Sequence, residues 1–201
     1  MIFGPASPDL LPGARNAIET CLAIQPGERV TLIADRASAE VAASLDRALT
    51  ECRAVATCLS IEALAARPLS AAPPEVLASL EVADAGILCV QPHEGELTAR
   101  RAIVGVVERR RIRYAHMVGV TPRIMCEGMR ADYHRVDRLS QQLCDRMPWA
   151  RRLTVRTAAG GSISSSGLPM RSRTQAKYRS FMTLFVDQMP HAGTEVIPAG
   201  I

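Results

Sequence analysis

"AIQPGERVTLIAD" (residues 23–35) joins the end of one element to the start of another through a Pro26-Gly27 turn. Upstream, Leu11, Ala14, Ile18, Cys21 and Leu22 recur at helical spacing, which predicts an amphipathic helix over 10–24. Downstream, "RVTLIAD" (29–35) is short, apolar and rich in strand formers. Helix, turn and strand in this order are a common entrance to a nucleotide fold. That fold needs glycines directly after the first strand, so that backbone amides and a helix N-terminus can approach a pyrophosphate. Here Arg36, Ala37, Ser38 and Ala39 follow the strand. The glycine of this stretch precedes the strand and only stops a helix, so a dinucleotide site is not expected.

The pattern continues outward from that strand. A helix is predicted over 38–52, with Val41, Leu45 and Leu49 on one face, and a strand over 54–61. A Pro- and Ala-rich loop (65–74) leads into a short helix (73–83) whose prolines suit a first turn. "AGILCVQP" (85–92) is apolar along its length, as strands covered on both faces are. A long helix (94–113), a fourth strand (114–120) and one or two helices broken near 128–131 come next. Strands alternating with helices predict an α/β domain with a mostly parallel sheet and flanking helices in Rossmann-like layers. The alternation stops near residue 148. "RRLTVRTAAG" (151–160) and "GSISSSG" then predict the start of a second, antiparallel region, with Gly160-Gly161 in a hairpin turn. The expected organisation is an N-terminal domain over 1–148 and the beginning of a second over 149–201.

Composition limits the partners. Hydrophobic residues make up 48% and charged residues 22% of the 201, ordinary for a globular protein, while 3% aromatics leave the core to Ala, Leu, Val and Ile. The basic excess belongs to the tail: residues 1–150 hold 17 Arg against 18 acidic residues, and 151–201 carry a net charge of +5. "ERRRIR" (108–113) lacks interleaved aromatics, so nucleic acid is not an expected partner. No apolar run is long enough to cross a bilayer, and no secretory leader is recognisable, which makes the cytoplasm the expected location. Six cysteines without close pairing are expected to be reduced thiols.

Candidate chemistry is thin. "HEGE" brings His93, Glu94 and Glu96 together after a strand, but Leu97 stands where a zinc-binding HExxH would place its second histidine. Glu94 and Glu96 are therefore expected in the first turn of the next helix, favoured by its dipole. Asp132, His134 and Asp137 share a segment with Arg130, Arg135 and Arg138, which predicts a solvated charged face. His116 lies within an apolar strand, and Ser162 and Ser164–Ser166 have no histidine near them in sequence.

The stretches "ARNAIETCLAIQPGERVTLIAD", "EVAASLDRAL", "ADAGILCV", "MVGVTPRIMCEGMRADY" and "LTVRTAAGGSI" follow in an order that resembles the N-terminal half of metal-dependent aminopeptidases of the aminopeptidase T type. That family's fold is shared by iron-dependent dioxygenases that open dihydroxypyridine rings. The resemblance spans roughly residues 10–165. It implies an N-terminal α/β domain and a C-terminal domain whose glutamates, histidines, tyrosine and aspartate hold two divalent ions (zinc, cobalt or manganese). Paired ions polarise a peptide carbonyl and supply hydroxide near neutral pH. It also implies a peptide substrate and a homodimer formed through that second half.

The family's first glutamate ligand lies in a motif like N-[LM]-P-x-x-E-V-F-T. "QMPHAGTEVIPAGI" (188–201) is similar, with two extra residues between Pro190 and Glu195. By this resemblance Glu195 is the candidate first metal ligand, although the altered spacing suits an exposed tail carboxylate equally. One carboxylate holds no metal pair. The expectation is an aminopeptidase lineage in a truncated or divergent chain that is inactive alone. The alternatives are a fragment of a ring-cleaving dioxygenase and a non-catalytic α/β binding module.

Overall fold

The computed structural model describes residues 2–146, 152–156 and 162–166, which fall into two units, one ending at Arg130 and one beginning at Ala131. Residues 147–151, around the expected domain boundary, lie outside the described residues.

The first unit begins with α1 (Leu11–Arg15), which a wider π-helical turn continues through Asn16–Cys21. Its buried stripe is Leu10, Ala14, Ala17, Ile18 and Leu22, so the predicted face is rotated by one residue at its start. The "QPGE" turn closes with the Glu28 N–H donating to the Gln25 carbonyl at 3.2 Å. Gly27 sits at φ +83°, as the third residue of a type II turn requires. This aims the chain directly into β1 (Arg29–Ala34).

From β1 the chain runs through α2 (Ala39–Glu51) to β2 (Val55–Ser60), then through the short α3 (Ile61–Leu64) and α4 (Pro74–Glu81) to β3 (Ala85–Val90). It continues through α5 (Leu97–Arg110) to β4 (Arg113–Val118). The strands form one parallel sheet in the order β2-β1-β3-β4, as the βα alternation predicts. β1 is buried from Val30 to Ala34, and β3 over its whole length. On one face Ile33, Leu88 and Tyr114 pack with Val76 and Leu80 of α4 and Ile103 and Val107 of α5. Gly86 lies opposite Tyr114 in register, and a side chain at 86 would fall 3.1 Å from the Tyr114 ring. α1 and α2 pack together, and the unit closes with α6 (Pro122–Cys126) and a 3₁₀ turn at Gly128–Arg130.

The order reverses at β1: the chain moves outward to β2, then crosses back to place β3 on the other side. The carboxyl ends of β1 and β3 therefore form a topological switch point, where open α/β sheets bind ligands.

The second unit contains α7 (Tyr133–Arg146) and an antiparallel pair, β5 (Arg152–Arg156) with β6 (Ser162–Ser166). This pair is the predicted hairpin, while its turn lies outside the described residues. Among the described residues no helix is long and apolar enough to cross a membrane.

Candidate functional site

Asp35 is the first residue after β1, and its burial would be costly without partners. One carboxylate oxygen accepts the Ser38 N–H at 2.9 Å, capping the 3₁₀ turn Arg36–Ser38. The other accepts the N–H of Gln91, the first residue after β3, at 2.7 Å. The same oxygen takes Nη1 of Arg67, from the loop between α3 and α4. Arg67 also donates through Nε to Glu96 at 2.8 Å, through Nη2 to the second Glu96 oxygen, and through Nη2 to the Gln91 carbonyl at 2.8 Å. Glu96 accepts the Leu69 N–H at 2.9 Å, which ties the loop down a second time. The Gln91 side chain completes the network, donating to Ser38 Oγ at 3.2 Å and to the Val120 carbonyl at 2.7 Å.

The side chains of Asp35, Glu96 and Arg67 are 0%, 3% and 8% exposed. One guanidinium thus lies between two buried carboxylates at the switch point, in the bidentate geometry that makes arginine pairs strong. The hydrogen bonds from Arg67 hold the Glu96 carboxyl below its ordinary pKa, helped by the Leu69 N–H and opposed by burial. Glu96, with Asp35 second, raises the Arg67 pKa against burial. Chemically the cluster holds a fixed cation and two fixed anions with their bonding capacity directed inward.

This corrects the expectation for "HEGE". Helix α5 begins at Leu97, so Glu94 and Glu96 precede its first turn, and Glu96 makes no side-chain cap. Glu96 turns to Arg67 because a buried bidentate cation stabilises it more than a helix dipole does. Glu94 and His93 are exposed. His116 is half-buried on β4, 5.9 Å from the Tyr114 ring. Asp132 accepts the Arg135 N–H at 2.9 Å at the start of α7, while His134, Asp137 and Arg138 are exposed, as a solvated face requires. Ser162 and Ser164–Ser166 lie on β6. Glu195 and Gly160-Gly161 lie outside the described residues.

Among the described residues no group of three or more His, Cys, Asp or Glu side chains is placed to hold a metal ion. They do not fit a metal pair. Sequence reading missed Asp35 and Arg67. The available signal was a lone arginine in an otherwise uncharged loop, "ALAARPLSAAPP" (63–74).

Neither family models nor curated proteins give a match to this chain. Among solved structures, wild-type AmpT from Thermus thermophilus is similar at 12% identity and a TM-score of 0.43, over 77% of this chain and 58% of that one.

Proposed function

We propose that residues 2–130 form the supporting α/β domain of a protein in the metallo-aminopeptidase line, with no catalytic metal site of their own. The observation that carries the supporting role is the filled switch point: Arg67 occupies, between Asp35 and Glu96, the place where such sheets otherwise receive a ligand. The lineage rests on the sequence resemblance over residues 10–165. In the whole protein the substrate is a peptide N-terminus, the ions are zinc, cobalt or manganese, and Glu195 is the candidate first ligand.

Two measurements test this reading. The chain alone, supplied with cobalt, zinc or manganese, is expected to show no hydrolysis of leucine 4-nitroanilide. Metal-dependent turnover that survives Glu195→Gln overturns the supporting role. Coding DNA beyond codon 201, read in all frames, is expected to contain further glutamate, His-x-Asp and tyrosine motifs. Their absence overturns the aminopeptidase lineage in favour of a binding module.

A further inference from the structure

The outer face of α5 forms a second feature, separate from the switch point. Leu97, Arg100, Arg101, Val104 and Glu108 recur every three or four residues and, with His116 of β4, line a depression of about 360 Å³. This is within the size range of small-molecule sites. The buried residues of the same helix, Ala99, Ile103, Val106 and Val107, point elsewhere into the core. β4 is the last strand of the sheet, so the depression opens at the sheet's edge.

Arg100 distinguishes this place. Arg15, Arg29, Arg47, Arg67, Arg109, Arg113 and Arg123 all pair with carboxylates. Arg100 is half-buried, and its Nε is fully buried with no hydrogen-bond partner among the described residues. Among the described residues the Oη of Tyr114, a buried residue whose titration feels the Arg100 charge, is likewise without a partner. Orphaned buried donors are rare and carry a free-energy cost. A guanidinium pairs best with a planar oxyanion that meets its fork with two bonds. Leu97 and Val104 provide apolar walls, and Arg101 adds a second cation at the rim. Glu108, about 12 Å along the helix from Arg100 at ~1.5 Å per residue, disfavours a multiply charged anion.

We propose that this depression binds a small aliphatic monocarboxylate, its carboxylate on Arg100 and its apolar body against Leu97 and Val104. The site is independent of the supporting role and of the aminopeptidase lineage.

The test is an amide-resolved NMR titration of the full chain with 4-methylpentanoate, 4-methylpentanamide and inorganic phosphate. The acid is expected to give saturable shifts confined to 97–108 and His116, with a dissociation constant on the order of millimolar for so small a ligand. The amide and phosphate should bind at least about tenfold more weakly, and Arg100→Gln should cost the acid about tenfold. Arg101→Gln, at the exposed rim, should cost less, and Arg110→Gln, outside the depression, nothing. Arg101→Gln keeps the test informative if Arg100→Gln perturbs folding. No saturation by the acid, equal binding of acid and amide, or tighter binding of phosphate overturns the proposal. So does unchanged affinity in both Arg100→Gln and Arg101→Gln.

Discussion

Arg67→Ala removes the cation from between two carboxylates that are almost wholly shielded from water. Four donated hydrogen bonds disappear with it: two to Glu96, one to Asp35 and one to the Gln91 carbonyl. Their individual values do not add, because the carboxylates have an escape. A buried carboxylate can take up a proton, which from an ordinary pKa near 4 costs about 4 kcal/mol at pH 7. Asp35 also keeps its bonds from Ser38 and Gln91, and Glu96 keeps the Leu69 N–H. The expected loss is therefore about 3–5 kcal/mol, the range for breaking a buried ion pair by removing one partner. Native-state hydrogen exchange at Leu32 of β1 and Ile87 of β3 reads this unit directly. Protection there should fall by about two to four powers of ten, since 1.4 kcal/mol is tenfold. The pH dependence should invert as well. In the wild type Glu96 has a depressed carboxyl pKa, so its stabilisation is present above the unfolded value and is lost as pH falls through the folded one. In Arg67→Ala the buried, unpaired Glu96 has a raised pKa, so the variant should recover stability as pH drops from 7 toward 5. A loss under about 1 kcal/mol, or no gain on acidification, would refute the view that Arg67 holds a buried pair of carboxylates together.

Three further outcomes follow from other parts of the first unit. A Cβ on Gly13 would stand 2.3 Å from the Met125 carbonyl oxygen, whereas one on Gly86 would meet the movable Leu80 Cδ2 at 2.7 Å. Thermal melts should therefore show Gly13→Ala losing about 2–3 kcal/mol, and Gly86→Ala nearer 1, because backbone cannot yield as a side-chain tip does. Burial pushes the Cys21 and Cys58 thiols up to about 12 and Cys89 higher still. Mapping of iodoacetamide adducts at pH 8 should find these three protected in the folded chain and labelled in urea. Burial, and then the Arg100 charge, hold His116 below its usual 6.5. Its NMR titration midpoint should therefore lie under that value, and its contribution to stability should be lost as pH falls through the midpoint.

Much of the fold is legible locally because its signals are local. The Pro26-Gly27 turn, the period of the residues around α1 and the unbroken apolar run of β3 each lie within a dozen residues. Together they imply the βα alternation and hence the parallel sheet. The switch-point cluster is different in kind. Arg67 is 32 residues from Asp35 and 29 from Glu96, so no window of helical or strand period contains them. Glu96 in particular is indistinguishable in sequence from an acidic first-turn residue. Its role is decided by a guanidinium delivered from another loop.

The missing glycine after β1 and the lone arginine of the 63–74 loop express one physical choice. At the carboxyl ends of parallel strands the first N–H groups of the following turn need acceptors. In a nucleotide fold glycines let a phosphate serve them. Here Asp35 does so from within the chain, accepting from Ser38 and Gln91. That substitution leaves a buried negative charge where a phosphate would otherwise approach, and the charge itself opposes any such ligand. Once Asp35 is fixed, an internal cation becomes necessary, and Arg67 supplies it while Glu96 accepts the rest of its guanidinium fork. Loop, cap and ion pairs thus stabilise one another, and the end of the sheet that other folds open to ligands is closed by this chain's own side chains.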